Sequence, residues 1–282
     1  MIITRTIKEI SKHVTDWKKQ GESLGLVPTM GMLHKAHGSL VQEARKMSDR
    51  VIVSLFVNPT QFNDPQDFTS YPKDDEYDIA FLRDKGCDLA FLPEPEEMYP
   101  KGFSTEISIC GLADPLCGKY RPGHFLGVAQ VVLKLINITK ADFAFFGIKD
   151  WQQLMTVKRM IIDLNLPIDI VGCETVREES GLAISSRNLR LTNSEKKVAP
   201  SLYRILRQST SNILDGNDIK KVCKTAIAEL LRSGFDSVDY FEPRNSLTLE
   251  SIDILPDNEA VRLFASATLG AVRLIDNIPI KA

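Results

Sequence analysis

Two histidines stand close together near the start of the chain, in a sequence that has 4 histidines among its 282 residues. His34 and His37 lie in the stretch LGLVPTMGMLHKAHGSLVQEARK, residues 24–46, between an apolar run and a helical pattern. If a helix begins near Leu33, the two imidazoles project from one face, because positions i and i+3 are neighbours on a helix. The free N–H groups and partial positive charge of a helix N-terminus also favour a bound anion.

The chemistry that suits this histidine pair is nucleotidyl transfer. Negative charge grows on the α-phosphate and on the departing pyrophosphate, and fixed donors stabilise that charge more in the transition state than in the ground state. Two surface histidines at a helix start explain the spacing equally well, and half of a metal site is a further alternative. Zinc would need more ligands, and no His-Glu-x-x-His pattern occurs nearby.

The segment FFGIKDWQQ, residues 145–153, could bring a positive charge to a ligand crevice. It follows a predicted strand, and ligands of open α/β sheets bind beyond the carboxyl ends of the strands. Lys149 can neutralise a phosphate as a point charge. Taken alone, the segment is more simply explained by a solvated loop lysine and a helix-capping Asp150.

Three loop segments supply hydroxyl, amide and guanidinium groups. ISSRN, residues 184–188, has two serines and Arg187 in a glycine-containing loop that could close over a triphosphate. NPTQF presents Asn58 and Gln61 after a second strand, and RPGHF is another possible anion contact. For each segment alone, a polar linker or a structural turn is the simpler explanation.

Strands alternate with helices in the part of the chain that must position these residues. Apolar runs predict the strands and amphipathic segments the helices, so we expect a mostly parallel sheet covered on both faces. Two amphipathic helices, predicted over residues 195–209 and 218–234, then precede three strands. We therefore predict an α/β fold with a first domain at residues 1–176 and a smaller α+β domain at residues 177–282.

Composition argues against several classes of protein. The formal net charge of −2 disfavours nucleic-acid binding, which needs a basic face. The chain has no apolar run of membrane-spanning length and no signal-peptide core, so we expect a cytoplasmic protein. The 5 cysteines, without a CxxC pair, disfavour a disulfide framework or a zinc knuckle. Dinucleotide-binding and P-loop fingerprints are missing as well.

Taken jointly, five segments resemble the pantothenate synthetases (pantoate–β-alanine ligases) in order and spacing, over essentially the whole chain. They are PTMGMLHKAH, FVNPTQF, KYRPGHFLGVAQVV, FFGIKDWQQ and TVREESGLAISSRN. HKAH is similar to the HIGH signature of class I aminoacyl-tRNA synthetases and related nucleotidyltransferases, and ISSR is similar to their KMSKS-type loop. The resemblance implies a Rossmann-like N-terminal domain, a smaller C-terminal lid domain and a homodimer.

The resemblance also implies a reaction in two steps. The carboxylate of pantoate attacks the α-phosphate of ATP, which gives pantoyl adenylate and pyrophosphate. The amine of β-alanine then attacks the acyl carbon, which gives pantothenate and AMP. Mg²⁺ would accompany ATP, and no metal site made by the protein alone is predicted.

Residue roles follow from the same match. His34 and His37 would bind the ATP phosphates, with His37 as the proton donor, while Gln61 and Gln153 would hold pantoate. The implied catalytic residues are His37, His34, Lys149 and Arg187. The implied ATP site consists of Met30, Gly31, Met32, Leu33, His34, Lys35, Ala36, His37, Gly147, Ile148, Lys149, Asp150, Val176, Ile184, Ser185, Ser186 and Arg187. The implied substrate site consists of Pro28, Asn58, Gln61 and Gln153, with Gln61 also near β-alanine.

Neutral amides suit a carboxylate that must act as a nucleophile. Gln61 and Gln153 can donate hydrogen bonds without a charge, whereas an arginine would bind the carboxylate more tightly and leave it less reactive. Pro28 and Met30 offer an apolar wall for the two methyl groups of pantoate. A lid that excludes water would protect the adenylate from hydrolysis.

Four positions differ from the residues expected in the family. They are Ala36 for glycine, Ile148 for a polar residue, Glu174 for proline and Ser180 for aspartate. Three other functions compete with the ligase: an adenylyltransferase acting on a phosphate ester, a tRNA synthetase fragment, and a nucleotide-binding regulator without activity. A phosphate ester would favour basic groups where the amides stand, and a synthetase fragment would need an anticodon-binding domain and a basic surface.

Overall fold

Apolar segments in the first part of the chain form a parallel sheet, which confirms the predicted α/β class. The structure is a computed structural model, and in the residues that it describes, 1–63 and 65–281, this sheet has six strands. The strands are β1 (Ile2–Thr4), β2 (Leu24–Thr29), β3 (Arg50–Leu55), β4 (Leu89–Phe91), β5 (Phe143–Gly147) and β6 (Asp169–Cys173). Their spatial order is β1-β4-β3-β2-β5-β6, and the neighbouring strands run parallel.

The order of the strands reverses between β2 and β5. From β2 the sheet grows through β3 on one side and through β5 on the other. In open α/β sheets such a reversal leaves a crevice at the carboxyl ends of the two central strands. The chain enters the loop before His34 from β2 and reaches Gly147 at the end of β5. This topology explains why the candidate ligand-binding residues follow β2 and β5.

Helices connect and cover the strands of this sheet. They are α1 (Ile7–Lys19), α2 (Lys35–Met47), α3 (Pro65–Thr69), α4 (Asp75–Asp84), α5 (Pro95–Met98), α6 (Cys117–Tyr120), α7 (His124–Thr139) and α8 (Trp151–Asp163). Short 3-10 turns follow β3 at Pro59–Gln61 and β5 at Ile148–Asp150. None of the helices in the described part of the chain is long and apolar enough to cross a membrane.

Sequence analysis did not assign an element to the first twenty or so residues. They form β1 and α1, and α1 begins with a capping box in which Thr6 and Glu9 satisfy each other's backbone N–H groups. The buried face of α1 consists of Ile10, Val14 and Trp17. The three-residue strand β1 adds to the sheet beside β4, where it is too short to be recognised from alternation alone.

The later part of the chain has the α+β character that the sequence predicts. Its described strands β7 (Ser237–Asn245), β8 (Val261–Leu269) and β9 (Val272–Lys281) form an antiparallel sheet in the order β7-β8-β9. The helices are α9 (Asn193–Val198), α10 (Ser201–Leu214) and α11 (Ile219–Arg232). The single helix predicted over residues 195–209 is wrong, because the chain breaks at Pro200, which lacks the N–H that a continuous helix needs.

Contacts between Cα atoms divide the chain into two compact units. Met1–Ile148 and Gln152–Glu174 form the first unit, whereas Lys149–Trp151 and the chain from Thr175 onward form the second. The second unit therefore includes a short segment from the middle of the chain. The predicted domain boundary after residue 176 and the proposed motion of a lid stay predictions.

One buried carboxylate holds the loop that leaves β2. Asp78, on α4, accepts hydrogen bonds from the backbone N–H groups of Met32 and Leu33 at 2.8 and 2.7 Å. Gly31 and Met32 adopt left-handed φ angles of 83° and 51° in this loop. A Cβ atom at Gly31 would lie 2.9 Å from Asp78 Oδ2, so glycine is required both by the turn and by the close approach.

Burial raises the pKa of the Asp78 carboxyl above its ordinary value, although the N–H groups of Leu33 and Met32 lower it. The nearby Asp74 and Asp75 carboxylates raise the pKa further. The folded state therefore keeps the Asp78 proton over a pH interval in which the unfolded chain has lost it. Because of this, the contribution of Asp78 to the free energy of unfolding falls as the pH rises through that interval.

We predict a pH-dependent difference in stability between the wild type and Asp78→Asn. The free energy of unfolding of the wild type minus that of the variant should decrease as the pH rises from the ordinary carboxyl pKa of 3.8, and should level off above the raised pKa. Urea titrations at pH values between about 4 and 7 measure this difference. A difference that increases with pH would contradict the raised pKa.

Asp84 provides a control of opposite sign on the same helix. The ammonium group of Lys85 lowers the pKa of the Asp84 carboxyl, so its stabilising contribution appears as the pH rises. Asp84→Asn should therefore give a small wild-type-minus-variant difference that increases with pH.

Candidate active site

The two histidines that drew attention in the sequence form a stacked pair. Their ring centroids are 4.0 Å apart and the ring planes are inclined by 21°. α2 begins at Lys35, two residues after the start that the sequence analysis supposed, and His34 is its N-cap, with extended φ and ψ of −146° and 179°. The rings still meet, because the extended N-cap residue lies beside the first helical turn that carries His37.

The surroundings of this pair favour an anion. The first turn of α2 consists of Lys35, Ala36 and His37 and has no acidic side chain. α2 has 13 residues, enough for its aligned peptide dipoles to give a partial positive charge at this end. The pair therefore combines imidazole donors with a helix N-terminus, as the sequence interpretation required.

Asn58 fixes the orientation of the amide of Gln61. Both side chains are buried, with 1% of Asn58 and 8% of Gln61 exposed. Asn58 Oδ1 accepts hydrogen bonds from the Thr60 N–H at 3.4 Å and from the Tyr99 hydroxyl at 2.7 Å, while Asn58 Nδ2 donates to the Gly127 carbonyl at 3.0 Å. A backbone N–H can only donate and a carbonyl can only accept, so these partners determine which end of Asn58 is oxygen.

The orientation of Asn58 determines that of the Gln61 amide. Asn58 Nδ2 also donates to Gln61 Oε1 at 3.2 Å, which leaves Gln61 Nε2 to donate to the thioether of Met30 at 3.0 Å. Sulfur is a weak acceptor, and the amide nitrogen has two hydrogens. The Gln61 side chain can therefore offer a neutral donor to a stronger acceptor such as a carboxylate.

His124 supports the same residue through its backbone. His124 Nδ1 lies 2.8 Å from the Gln61 carbonyl oxygen, and Arg121 NH1 lies 3.1 Å from His124 Nε2. The carbonyl must accept and the guanidinium must donate, which requires the neutral tautomer with hydrogen on Nδ1. The RPGHF segment, which the sequence analysis considered as an anion contact, thus holds the turn that carries Gln61.

Close packing also fixes this turn. A Cβ atom at Gly127 of α7 would lie 2.4 Å from the Thr60 carbonyl carbon, so the helix can approach Pro59–Gln61 only because residue 127 has no side chain. Burial raises the pKa of the Tyr99 phenol, against the hydrogen bond with Thr60 that lowers it. Tyr99 therefore stays a neutral donor to Asn58 at physiological pH.

The two glutamines at the start of α8 occupy different environments. Gln152 is buried; its Oε1 accepts from the Cys117 N–H at 3.0 Å, and its Nε2 donates to the carbonyls of Leu112 and Pro115 at 3.0 and 2.6 Å. Gln152 therefore ties a loop to α8. Gln153, predicted as a pantoate ligand, is half-buried at the next position, and Pro28, on β2, is also half-buried.

Two predicted ATP-site residues of the first unit lie at the end of β5 and directly after it. Gly147 is the last residue of the strand, and Ile148 follows in the 3-10 turn. A Cβ atom at Gly172, on the neighbouring strand β6, would lie 3.1 Å from Ile148 Cγ2. The apolar side chain of Ile148 is therefore directed at β6, which gives a physical reason why a polar residue is not required there.

The remaining predicted ATP-site residues belong to the second unit. Ile184 donates its N–H to the carbonyl of Val176 at 3.0 Å, closing the loop between them. Ser185 caps the 3-10 turn Ser186–Arg190, and its Oγ accepts from the Arg187 N–H at 3.3 Å. Lys149 is anchored through its backbone carbonyl, which accepts from Asn277 Nδ2 at 2.8 Å. Asp150 is half-buried beside it.

Three cysteines have the properties of core residues. Burial raises the pKa of Cys87 to about 12 and those of Cys173 and Cys223 to about 11, so these thiols are protonated at neutral pH. Over residues 1–63 and 65–281, no group of three or more His, Cys, Asp or Glu side chains is placed to hold a metal ion.

Sequence analysis missed two residues that position the site. Asp78 holds the loop before His34, and Tyr99 holds Asn58, and both act from segments distant in sequence. The sequence around Asp78 indicates only that a helix starts there, because an aspartate in the first turn is typical of a helix start. Their partners could not be inferred without the fold.

Comparison with known proteins gives one consistent family. The family model described as Pantoate-beta-alanine ligase matches residues 2–279. The pantothenate synthetase of Cereibacter sphaeroides (strain ATCC 17029 / ATH 2.4.9) is 50% identical over 278 residues, covering 99% of both chains. That of Dinoroseobacter shibae is 48% identical over 264 residues, covering 94% of both.

Solved structures agree with these relatives. The crystal structure of pantothenate synthetase from Thermus thermophilus has a TM-score of 0.92 and 38% identity, with 100% of both chains covered. That of pantoate-beta-alanine ligase from Francisella tularensis, complexed with beta-gamma ATP and beta-alanine, has a TM-score of 0.85 and 37% identity, covering 99% of this chain and 98% of the other. The chain therefore belongs to the family of pantoate-beta-alanine ligases.

Proposed function

We propose that this ligase condenses (R)-pantoate with β-alanine at the expense of ATP, through a pantoyl-adenylate intermediate. In the first step a pantoate carboxylate oxygen bonds to the α-phosphorus, and the bond from that phosphorus to the pyrophosphate breaks. In the second step the β-alanine nitrogen bonds to the acyl carbon, AMP leaves, and the amine loses a proton. The relative from Francisella tularensis, crystallised with beta-gamma ATP and beta-alanine, supports the choice of two of the three substrates.

The observation that carries the proposal is the stacked histidine pair at the N-terminus of α2. This helix follows β2, one of the two strands between which the strand order reverses. Imidazole donors and a helix N-terminus together suit the negative charge that develops on the phosphates. His37, in the first turn, is the proposed proton donor to the departing pyrophosphate, and His34 binds the same phosphates. The loop Met30–Leu33, held by Asp78, would contribute its backbone to the nucleotide site.

Cationic and hydroxyl groups are the other proposed ATP contacts. Lys149 and Arg187 would neutralise phosphate charge, and Ser185 and Ser186 would donate hydrogen bonds. Mg²⁺ enters with ATP as part of the nucleotide substrate. The homodimer and the closing lid implied by the resemblance belong to the same proposal.

Neutral amides would hold the pantoate carboxylate. Gln61 Nε2 faces the weak acceptor Met30 Sδ, and a carboxylate could replace that contact with a stronger hydrogen bond. Gln153 is the second proposed donor, and Asn58 acts by orienting Gln61. The apolar side chains of Pro28 and Met30 would face the methyl groups of pantoate.

The adenylate intermediate predicts an exchange reaction that does not need β-alanine. The wild type should transfer labelled pyrophosphate into ATP only when pantoate is present, and should release AMP once β-alanine is added. His37→Ala should lower the rate of exchange about a hundredfold or more, since removing such a donor costs about 3 kcal/mol in the transition state. The KM for ATP should change much less.

His13→Ala serves as the control for this experiment. It makes the same chemical change on α1, at a residue whose ring lies 6.2 Å from Trp17 and has no proposed part in the reaction. Exchange without pantoate would refute the adenylate route. Near-normal exchange by folded His37→Ala would show that His37 is only structural.

A second prediction tests the neutral-amide argument with Gln61→Glu. The substitution keeps the shape of the side chain but places a carboxylate beside that of pantoate. Two like charges about 4 Å apart at an effective dielectric constant near 20 repel by roughly 4 kcal/mol, about a thousandfold in kcat/KM for pantoate. Binding of ATP without pantoate should barely change, and lowering the pH towards about 5 should recover part of the activity if the new carboxyl has a raised pKa.

Pantoate titrations at saturating ATP and β-alanine provide the measurement, with thermal melts to confirm folding. Gln208→Glu, on the exposed face of α10, makes the same charge change outside the proposed site and should have normal kinetics. If the folded Gln61→Glu enzyme keeps its pantoate efficiency within about tenfold, far less than the calculated repulsion, the acid does not bind at Gln61.

A further inference from the structure

Two adjacent polar residues are buried in the last strand, and the proposed reaction uses neither. Asp276 and Asn277 lie in β9 with 4% and 5% of their surfaces exposed. Burial of polar side chains is unfavourable unless they form hydrogen bonds. The hydrogen-bond partners of Asp276 and Asn277 therefore indicate the structural role of each residue. Successive strand residues project to opposite faces, which allows each side chain to reach a different segment.

Asp276 holds the base of the loop that leads to Ile184–Arg187. Its carboxylate forms a paired contact with Arg177, at 2.5 Å to NH1 and 2.9 Å to NH2. Arg177 NH1 also donates to the Gly181 carbonyl at 3.1 Å, and residue 177 forms an isolated antiparallel bridge with Ala183. The guanidinium lies 3.7 Å over the ring of Tyr203. Asp276 therefore orients the arginine that closes this loop on itself.

Asn277 holds the backbone of Lys149. Its Nδ2 donates to the Lys149 carbonyl at 2.8 Å, and its Oδ1 accepts from Arg262 NH1 at 2.6 Å. The carbonyl can only accept and the guanidinium can only donate, so the orientation of the amide is determined. Arg262 in turn lies 3.7 Å over the ring of Trp151, whose Nε1 donates to the Ser246 carbonyl at 2.7 Å.

We infer that Asp276 and Asn277 are positioning residues, which together set the backbone of Lys149 and the loop that carries Ser185, Ser186 and Arg187. Both proposed groups of phosphate contacts in the second unit would then depend on one dipeptide of β9. The inference rests on the proposed function of Lys149 and of the loop in binding ATP. Errors of about 1 Å in the position of a catalytic group can reduce rates a hundredfold, so fixing both backbones is chemically useful.

A double-mutant cycle between Asn277 and Lys149 tests the first half of this inference. Asn277→Asp keeps the acceptor for Arg262 but removes the donor to the Lys149 carbonyl. We expect it to lower kcat/KM for ATP about tenfold or more, with the KM for β-alanine within about twofold of the wild type. In the Lys149→Ala background the same change should have little further effect on ATP kinetics, because the side chain that it positions is already missing.

The outcomes separate the inference from the proposed function on which it rests. If Lys149→Ala alone leaves ATP kinetics unchanged, the proposed contact of Lys149 with ATP is wrong. If Lys149→Ala lowers kcat/KM for ATP but Asn277→Asp has a fully additive effect, Asn277 does not act through Lys149 and the positioning inference is wrong. Thermal melts identify any variant that has failed to fold.

Asp276→Asn tests the second half and remains informative if Asn277→Asp does not fold. It removes the charge paired with Arg177 and should raise the KM for ATP severalfold. Asp239→Asn is its matched control in the same sheet, because Asp239 accepts from Arg273 Nε at 2.6 Å and from Ser266 Oγ at 2.9 Å. The control should lower the melting temperature without changing the KM for ATP. Equal ATP kinetics in the two folded variants would overturn the assignment of Asp276.

Discussion

The orientation of the Gln61 amide in the first unit depends on that of a second buried amide, Asn58. Asn58 is bonded at one end to a backbone N–H and a phenol, and at the other end to the carbonyl of α7 and to Gln61. Because backbone groups cannot exchange donor for acceptor, they impose one orientation on Asn58 and, through it, on Gln61. The proposed acid-binding donor is therefore oriented before a substrate arrives, which reduces the entropy lost on binding.

The two units supply chemically different groups to the proposed reaction. In the proposed function the first unit contributes two imidazoles for the phosphates, and neutral amides and an apolar wall for pantoate. Lys149 and Arg187, the cations assigned to the phosphates, belong to the second unit. The amides proposed for the attacking carboxylate are neutral, because that carboxylate must keep its charge and its nucleophilicity. The buried Asp276 and Asn277 form comparable hydrogen bonds in the second unit, where they fix the Arg177 side chain and the backbone of Lys149.

Periodicity predicted the parallel sheet, the helices α2, α4, α7 and α8 and the three later strands, because burial on one or two faces leaves a direct pattern in the residues. It did not predict α1 or the antiparallel pairing of the later strands. It failed where local chemistry competes with the pattern. Pro200 interrupts an otherwise amphipathic segment, and His34 adopts extended backbone just before the helix to which it was assigned. The motifs indicated His34, His37 and Gln61, but not Asp78 or Tyr99. Those two act across the fold, and contacts between distant segments are not encoded in spacing.

The second unit is compact in space but interrupted in sequence, since it includes Lys149–Trp151 from between β5 and the rest of α8. The indole of Trp151 covers the guanidinium of the buried Arg262, and the carbonyl of Lys149 binds Asn277. A fragment that starts at Thr175 would lack both groups and would expose the side of its sheet that they cover. A recombinant of two related genes joined at that point would keep the tripeptide but take it from a different parent than the rest of the unit. The second unit can thus be exchanged as a module only if a matching tripeptide from the middle of the chain is exchanged with it.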